Sequence, residues 1–483
     1  MTSPIIPGET CWRVERATRA TVIIDAQDYF RAARQAMMNA KKQILLIGWD
    51  FDARITLIGQ EPDDGAPPTI GAFITWLVER TPGLEVRLLR WDVGAIKTVT
   101  RGSTIFTVLA WMAKRQITTK LDGHHPTGGS HHQKIVVIDD CLAFCGGIDM
   151  TAERWDTREH KDDEPGRVLP GGKPYKPWHD ATTALEGPVA AALGALARER
   201  WVKAGGRPLR AIPEPHDCWP ASLTPDFHGV DVAIARTLPA MPDQEPVHEI
   251  EALSLALIAS ARRMIYAESQ YFASRRVAKA IVARLQEDDG PEVVIVNPVT
   301  AQGWLEPLAM DTARARLVEA IRRCDRHKRF RLYHAVTTRG EPIYVHAKVL
   351  VIDDDVIRVG SSNFNNRSLR LDTECDVAIR APSGEVSTCI AAIRDGLIAE
   401  HLGLPRETVA AELARRGSLI DAIEALRGSG RTLRDYETPD LNAVQAWIAD
   451  NEILDPENPD EMFEPTSGNL LKGIRGRWRT WRR

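Results

Sequence analysis

The sequence predicts an α/β fold: two tandem α/β repeats, each a mixed sheet flanked by helices, with the functional site at their interface. Three observations predict it. A stretch of 18 residues, His132–Asp149 (HQKIVVIDDCLAFCGGID), recurs without a gap as His346–Asn363 (HAKVLVIDDDVIRVGSSN), with seven identities. An internal repeat of that kind sets the architecture before any other signal. Helix-period and strand-like segments alternate through both halves, the pattern of sheets covered by helices. The chain of 483 residues, 43% hydrophobic and 27% charged, has the composition of a soluble globular protein and the length for roughly two to four structural units.

The elements follow in order. Asp28–Ala40 carries apolar residues at helical spacing and leads through Lys41-Lys42 to a short apolar strand, Ile44–Ile47. Gly83-Leu84-Glu85-Val86 opens another strand. In the repeated stretch His132 and Lys134 alternate along a period-2 strand and so share a face. Ile135–Ile138 read as buried strand, and Asp139-Asp140 as a tight turn, because Asp side chains bond their own backbone there. Gly146-Gly147 end the next strand, where small residues let backbone or ligand approach closely. Thr151–Trp178 is a polar, Pro/Gly-rich loop, and loops of that length in compact folds are more often functional than idle. The second copy repeats this order: helix Glu249–Ala261, the pair Arg262-Arg263, a strand, Gly290-Pro291-Glu292-Val293, His346 and Lys348 on one strand face, the turn Asp353-Asp354, and Gly360-Ser361. The copies are placed at residues 1–215 and 216–400, with a helical and charged extension at 401–483. Asp435–Glu464 holds ten acidic residues and no Lys or Arg, and Lys472–Arg483 holds six basic residues with Trp478 and Trp481. That tail reads as an appendage rather than core, and Lys/Arg with Trp suits an anionic lipid surface.

Composition excludes several classes. No apolar run approaches the ~18–20 residues of a membrane span, and Met1–Ala20 lacks the apolar segment of a secretory signal. A net charge of −4 gives no global footprint for nucleic acid. Seven Cys without a CxxC pair indicate neither a disulfide framework nor a zinc ribbon. Cys141 and Cys145 read as buried hydrophobes, and the expected location is the reducing cytoplasm.

The chemistry lies in the repeated spacing His-x-Lys-x4-Asp-x6-Gly-(Gly/Ser)-x-(Asp/Asn). Phosphodiester transfer needs a nucleophile, a proton donor for the leaving alkoxide, and donors for the phosphoryl oxygens. Two imidazoles can be nucleophile and acid, two ammoniums can hold phosphoryl oxygens, and Ser361 and Asn363 can add neutral donors. No metal and no other cofactor is required by this inventory. Neither half has the whole set, so the site must form where the copies meet. Of the other His, His131 reads as structural, facing away from its neighbour, and His124 and His125 as part of a solvated loop. Trp304 reads equally as a substrate-facing loop residue or as ordinary packing.

Two such stretches 214 residues apart in one chain resemble the paired HKD motifs of the phospholipase D superfamily. Trp178-His179-Asp180, IYAESQYF at Ile265–Phe272, and the Asn-then-Glu pattern of Ser361–Glu374 are similar to members that act on phospholipids. The resemblance covers about residues 20–400. It implies that His132 is the nucleophile and phosphohistidine, that His346 is the acid and then the base, and that Lys134 and Lys348 hold phosphate with them. It also implies a carboxylate on the far nitrogen of each ring, fixing its tautomer. Asp180 and Glu374 match those positions, with Glu374 expected on His132 and Asp180 on His346. Asn363, Ser361 and Gly147 are expected at the substrate, and Asp139 and Asp353 as structural turn residues. Asp149 stands where many members have Asn. An ionised carboxylate beside a phosphate is unhelpful, so Asp149 is expected to face away.

The activity so implied is phospholipase D: hydrolysis of the distal phosphodiester bond of a glycerophospholipid to phosphatidic acid and a free alcohol, with transphosphatidylation when an alcohol replaces water. A phosphatidyltransferase of the cardiolipin synthase type is the alternative, and a nucleic-acid phosphodiesterase a weaker one. A degenerate, non-catalytic lipid-binding scaffold is disfavoured by the four intact His and Lys positions. The expected partners are a phospholipid substrate and a peripheral membrane surface, with no nucleic acid, and the expected state is a monomer, located in the cytoplasm or peripherally at the membrane.

Overall fold

The computed structural model describes residues 3–58, 64–92, 107, 110–111, 113–214, 216–301, 310–381 and 384–439. Trp304 and the tail beyond Pro439, with Trp478 and Trp481, lie outside the described residues.

The first half runs β1 (Arg13–Ile24), α1 (Ala26–Met38), β2 (Gln43–Gly48), α2 (Ile70–Arg80), β3 (Glu85–Trp91), β4 (Ile117–Asp122), β5 (Ile135–Ile138), β6 (Leu142–Gly146), β7 (Trp178–His179), β8 (Ala181–Glu186) and α3 (Pro188–Lys203). The second runs β9 (Phe227–Leu238), β10 (Val247–His248), α4 (Glu249–Ser260), β11 (Met264–Glu268), α5 (Arg275–Leu285), β12 (Glu292–Val296), α6 (Thr312–Cys324), β13 (Phe330–Val336), β14 (Tyr344–Val345), β15 (Val349–Ile352), β16 (Val356–Gly360), β17 (Glu374–Arg380) and α7 (Glu385–Leu402). Beyond residue 400 come α8 (Arg406–Arg416), α9 (Leu419–Leu426) and β18 (Thr432–Asp435).

Sixteen of these strands form one continuous mixed sheet spanning both halves, and β7 and β14 pair apart from it. Outward from its centre the first half reads β1-β8-β6-β5-β2-β3-β4 and the second reads β9-β17-β16-β15-β11-β12-β13. The two orders are the same, so the repeat in sequence is a repeat in topology. The halves join because β1 pairs antiparallel with β9, Ala17 opposite Val230 and Arg13 opposite Ile234. Beyond the repeat, β18 pairs antiparallel with β13 and extends the edge, while Leu413, Leu419 and Ile423 pack into the common core. Residues 401–435, the start of the helical and charged extension, thus pack onto the second half as α8, α9 and β18.

Three apolar layers hold the sheet. One core spans both halves: Val137, Cys145 and Leu193 share it with Val351, Cys375 and Leu397. On the other face α1 and α2 cover the first half, with Phe30 and Phe73 buried, and α4 and α5 cover the second, with Leu253 and Ile281 buried. The apolar strand faces demand cover on both sides, which is why the strands read as continuous hydrophobic runs. No helix among the described residues is long and apolar enough to cross a membrane.

The motif aspartates set the strand starts. Asp139 accepts hydrogen bonds from the backbone N–H groups of Lys41, Lys42 and Gln43 at 2.5–2.9 Å. Asp353 accepts from Arg262, Arg263 and Met264 at 2.7–3.0 Å. Both adopt positive φ, 49° and 54°, in tight turns where Asp tolerates the left-handed region.

Candidate active site

Each half lends its histidine to the other half's carboxylate. The segment before β5 crosses to the other half at its histidine, while Lys134 O still accepts from Gly146 N–H of its own half at 3.4 Å. His132 N–H donates to Thr373 O at 2.9 Å, immediately before Glu374. Likewise β14 pairs parallel with β7, and His346 N–H donates to His179 O at 2.7 Å, immediately before Asp180. The expected regular strand through each His and Lys thus begins one residue after the Lys. What precedes it is an extended arm crossing to the other half.

The crossing fixes both rings. His132 Nδ1 lies 3.0 Å from both carboxylate oxygens of Glu374 and 3.0 Å from Ser361 O. A carbonyl oxygen only accepts, so Nδ1 carries the proton and Nε2 keeps its lone pair. His346 Nδ1 lies 2.7 Å from Asp180 Oδ2. Glu374 and Asp180 are fully buried. Burial, followed by the Lys134 and Lys348 charges, holds His132 well below the ordinary histidine value. Burial and then Lys348 do the same to His346. The resting rings are neutral. Burial pushes the Glu374 carboxyl up to about 8 against the pull of Lys134, and raises Asp180 against Lys348. His132 is the more open ring, 16% accessible against 6% for His346, whose face lies 5.0 Å from the Trp178 ring.

The two lysines differ. Lys134 Nζ donates to His132 O at 2.8 Å and pairs with Asp149 Oδ2 at 3.1 Å. Asp149, expected to face away, instead neutralises a site lysine. Its other oxygen accepts from Trp49 N–H. Lys348 Nζ donates to His346 O and, at 3.3 Å, to the neutral amide oxygen of Gln270. Burial pushes Lys348 down to about 7. Asn363 Nδ2 shares Gln270 Oε1 at 3.3 Å, and the buried Asn363 Oδ1 has no partner.

Two residues expected at the substrate have other partners. The Ser361 hydroxyl donates to Glu374 Oε2 and accepts from Cys375 N–H at 3.0 Å, so it serves the carboxylate. Gly147 donates its N–H to Ala181 O at 2.8 Å, and a Cβ there would stand 2.2 Å from Asp180 Oδ1. Its missing side chain makes room for Asp180. At equivalent positions of the repeat, one residue yields space to a carboxylate and the other donates to one. The remaining His lie outside the site: His131 sits between Thr373 Oγ1 and Asp122, His124 faces Asp243, and His125 faces Asp92.

Sequence reasoning passed over Gln270, although it lies in the Ile265–Phe272 segment singled out for resemblance. It also passed over Arg154, whose guanidinium stacks 4.3 Å from the centre of the Trp178 ring in the long loop. The assembled group can do nucleophilic chemistry at phosphorus: two neutral imidazoles with opposed carboxylates and two ammoniums to meet a phosphoryl anion.

Residues 36–216 match the family profile described as phospholipase D, and residues 255–393 match the profile described as cardiolipin synthase, phospholipase D-like domain. Phospholipase D alpha 1 of Carica papaya is 24% identical over 77% of the chain. The enzyme of the same name from Zea mays is 24% identical over 72%. The chain spans 63% of the length of the papaya protein and 59% of the maize one. The crystal structure of phosphatidylserine synthase from Haemophilus influenzae shares the fold, with a TM-score of 0.53 at 14% identity, covering 82% of this chain and 93% of that one.

Proposed function

Because the chain belongs to the phospholipase D superfamily, we propose that it is a phospholipase D, splitting the distal phosphodiester bond of a glycerophospholipid to phosphatidic acid and a free alcohol. The observation that carries this reading is the pair of His–carboxylate dyads, each formed across the two halves, with Lys134 and Lys348 beside them.

His132 Nε2 attacks phosphorus and the bond to the headgroup oxygen breaks, leaving a phosphohistidine. Its greater accessibility and Nδ1-protonated tautomer suit it to that role. Burial and, after it, lysine charge keep His346 neutral, and the bound phosphodiester anion offsets the second of these. The ring can then take a proton and pass it to the leaving alkoxide, while Asp180 steadies the imidazolium. In the second step His346 takes a proton from water, whose oxygen bonds to phosphorus as the Nε2–P bond breaks. An alcohol in place of water gives transphosphatidylation. Lys134 and Lys348 meet the phosphoryl oxygens, with Asn363 as a neutral donor, so the step at phosphorus needs no divalent ion. Both dyads lie in one chain, so a monomer is competent. It works peripherally at a cytoplasmic membrane surface, and nucleic acid is not a substrate.

The second reading, a phosphatidyltransferase, is favoured by the profile matched at residues 255–393. One experiment separates the readings: phosphatidylcholine, phosphatidylglycerol and plasmid DNA are incubated in parallel, with brief chelator exposure and with or without a competing alcohol. Phosphatidic acid and a free headgroup are expected. Products only when a lipid alcohol is supplied would support the transferase, and nicked plasmid alone would overturn both lipid readings.

A further inference from the structure

Behind Asp180 lies a second, fully enclosed group that the proposed reaction does not use. Asp25, His160, His179 and Glu400 each offer one ligand atom within 4.8 Å of the others, and all four side chains are at most 1% accessible. They come from four segments: the residue before α1, the long loop, β7, and the end of α7.

We propose that these four side chains form a structural binding site for a divalent transition-metal ion of the zinc class. Two imidazole nitrogens and two carboxylate oxygens are a suitable donor set. Four donors about 2.1 Å from a central ion in a tetrahedron stand roughly 3.4 Å apart. Here His160 Nε2 is 3.2 Å from Glu400 Oε1 and 3.4 Å from Asp25 Oδ2, and His179 Nδ1 is 2.8 Å from Glu400 Oε1; the other Asp25 oxygen, 3.3 Å from His179 Nδ1, is the one that Asp180 N–H already holds. The far nitrogen of each ring is already held by a different carboxylate: His160 Nδ1 by Asp156 at 3.1 Å, and His179 Nε2 by Glu268 at 2.8 Å. Such outer carboxylates orient ligating histidines and fix which nitrogen binds metal.

An independent observation points to the same ion. Asp25 Oδ2 is buried and has no hydrogen-bond partner, although it faces His160 Nε2. A buried carboxylate oxygen with no hydrogen bond and only the 3.4 Å approach of one ring nitrogen is costly, and a cation among these donors would satisfy it. Charge also permits it. Arg158 pairs with Glu400 and Arg167 with Asp156, Glu268 lies between His179 and His401, and a dication with two neutral rings carries the same charge as two imidazoliums. Entering metal replaces one proton on each ring.

The ion would brace the proposed acid–base pair without touching the reacting atoms. Asp25 Oδ1 accepts from Asp180 N–H at 3.0 Å, and the His179 carbonyl holds His346 N–H at 2.7 Å. It would also anchor the long loop through His160. These are positioning roles.

The test uses the full chain, loaded with Zn²⁺, desalted and assayed by elemental mass spectrometry. About one equivalent per chain is expected, falling at least about tenfold in Asp25→Asn and His160→Gln. It should be unchanged in Cys218→Ser, which alters the other His/Cys group, Cys141, His216 and Cys218. Should the first two variants fail to fold, Co²⁺ in the unaltered protein decides: d–d absorption of a four-coordinate ion, without a thiolate charge-transfer band, supports the site. No stoichiometric binding, a thiolate band, or metal lost only in Cys218→Ser would overturn it and leave the group an imidazolium–carboxylate network.

Discussion

Lys134 and Asp149 form a buried ion pair at 3.1 Å, whereas Lys348, the equivalent lysine of the second repeat, faces the neutral amide of Gln270. The repeat is symmetric in topology but not in charge. One lysine has its own counter-ion, and the other is left for an anion to neutralise. Asp149→Asn should remove that difference. Breaking a buried pair from one side costs about 3–5 kcal/mol, so denaturant stability should fall. In the folded variant kcat/KM should also fall, because the Lys134 ammonium loses the carboxylate that holds it in place at 3.1 Å. Parent stability and parent kcat/KM in Asp149→Asn would show that the ion pair neither stabilises the fold nor positions Lys134.

Lys348 gives the pH dependence its sign. Burial lowers its pKa to about 7, so the ammonium proposed to meet the phosphate is present below that pH and is lost as pH rises through it. kcat/KM should therefore decline above about pH 7, mainly through KM, because bound anion holds the proton on. Lys348→Arg keeps its charge at any working pH. Overall activity should drop but the alkaline limb should disappear. A limb that survives in the Arg variant would assign it to another group.

Gly147→Ala places a methyl 2.2 Å from the Asp180 oxygen. Displacing Asp180 should uncouple His346 from its carboxylate and lower kcat by about 10²–10⁴-fold, the usual worth of general acid–base help, with KM little changed. A rise in KM alone would instead return Gly147 to the substrate-binding role its motif position suggests.

Asp139→Ala and Asp353→Ala each strip the acceptor from three backbone N–H groups at a strand start. At about 1–3 kcal/mol per buried orphan, several kcal/mol of stability should go, seen in denaturant midpoints, while kcat of the folded fraction stays near the parent value. A kcat loss at unchanged stability would mean that these carboxylates act in the chemistry.

The contrast between these residues shows where sequence is readable. His132, Lys134, His346 and Lys348 stand out because a gapless repeat carries them with a fixed spacing, and Asp139 and Asp353 because turn chemistry is local. Ser361 and Gly147 have legible positions but not partners: what each touches is set by where β17 and β8 bring Glu374 and Asp180, and no spacing encodes that. Asp25 and Glu400 are single carboxylates far apart in the sequence, joined only by folding. The strand β18 hides in a charged stretch because an edge strand of four residues, TLRD, needs little hydrophobic pattern.

The central claim is a two-step reaction with distinct roles for the two histidines, and covalent trapping tests it most directly. His132→Ala and His346→Ala are incubated with a nitrophenyl phosphodiester, whose leaving group needs little protonation, and the adduct is mapped by peptide mass spectrometry. The His346→Ala protein should accumulate phosphoryl adduct on His132, because the first step recovers while the base for the second is missing, and the His132→Ala protein should carry none. An adduct on His346 in His132→Ala, with none on His132 in the other variant, would reverse the assignment, and no adduct in either with activity merely reduced would contradict the two-step mechanism itself.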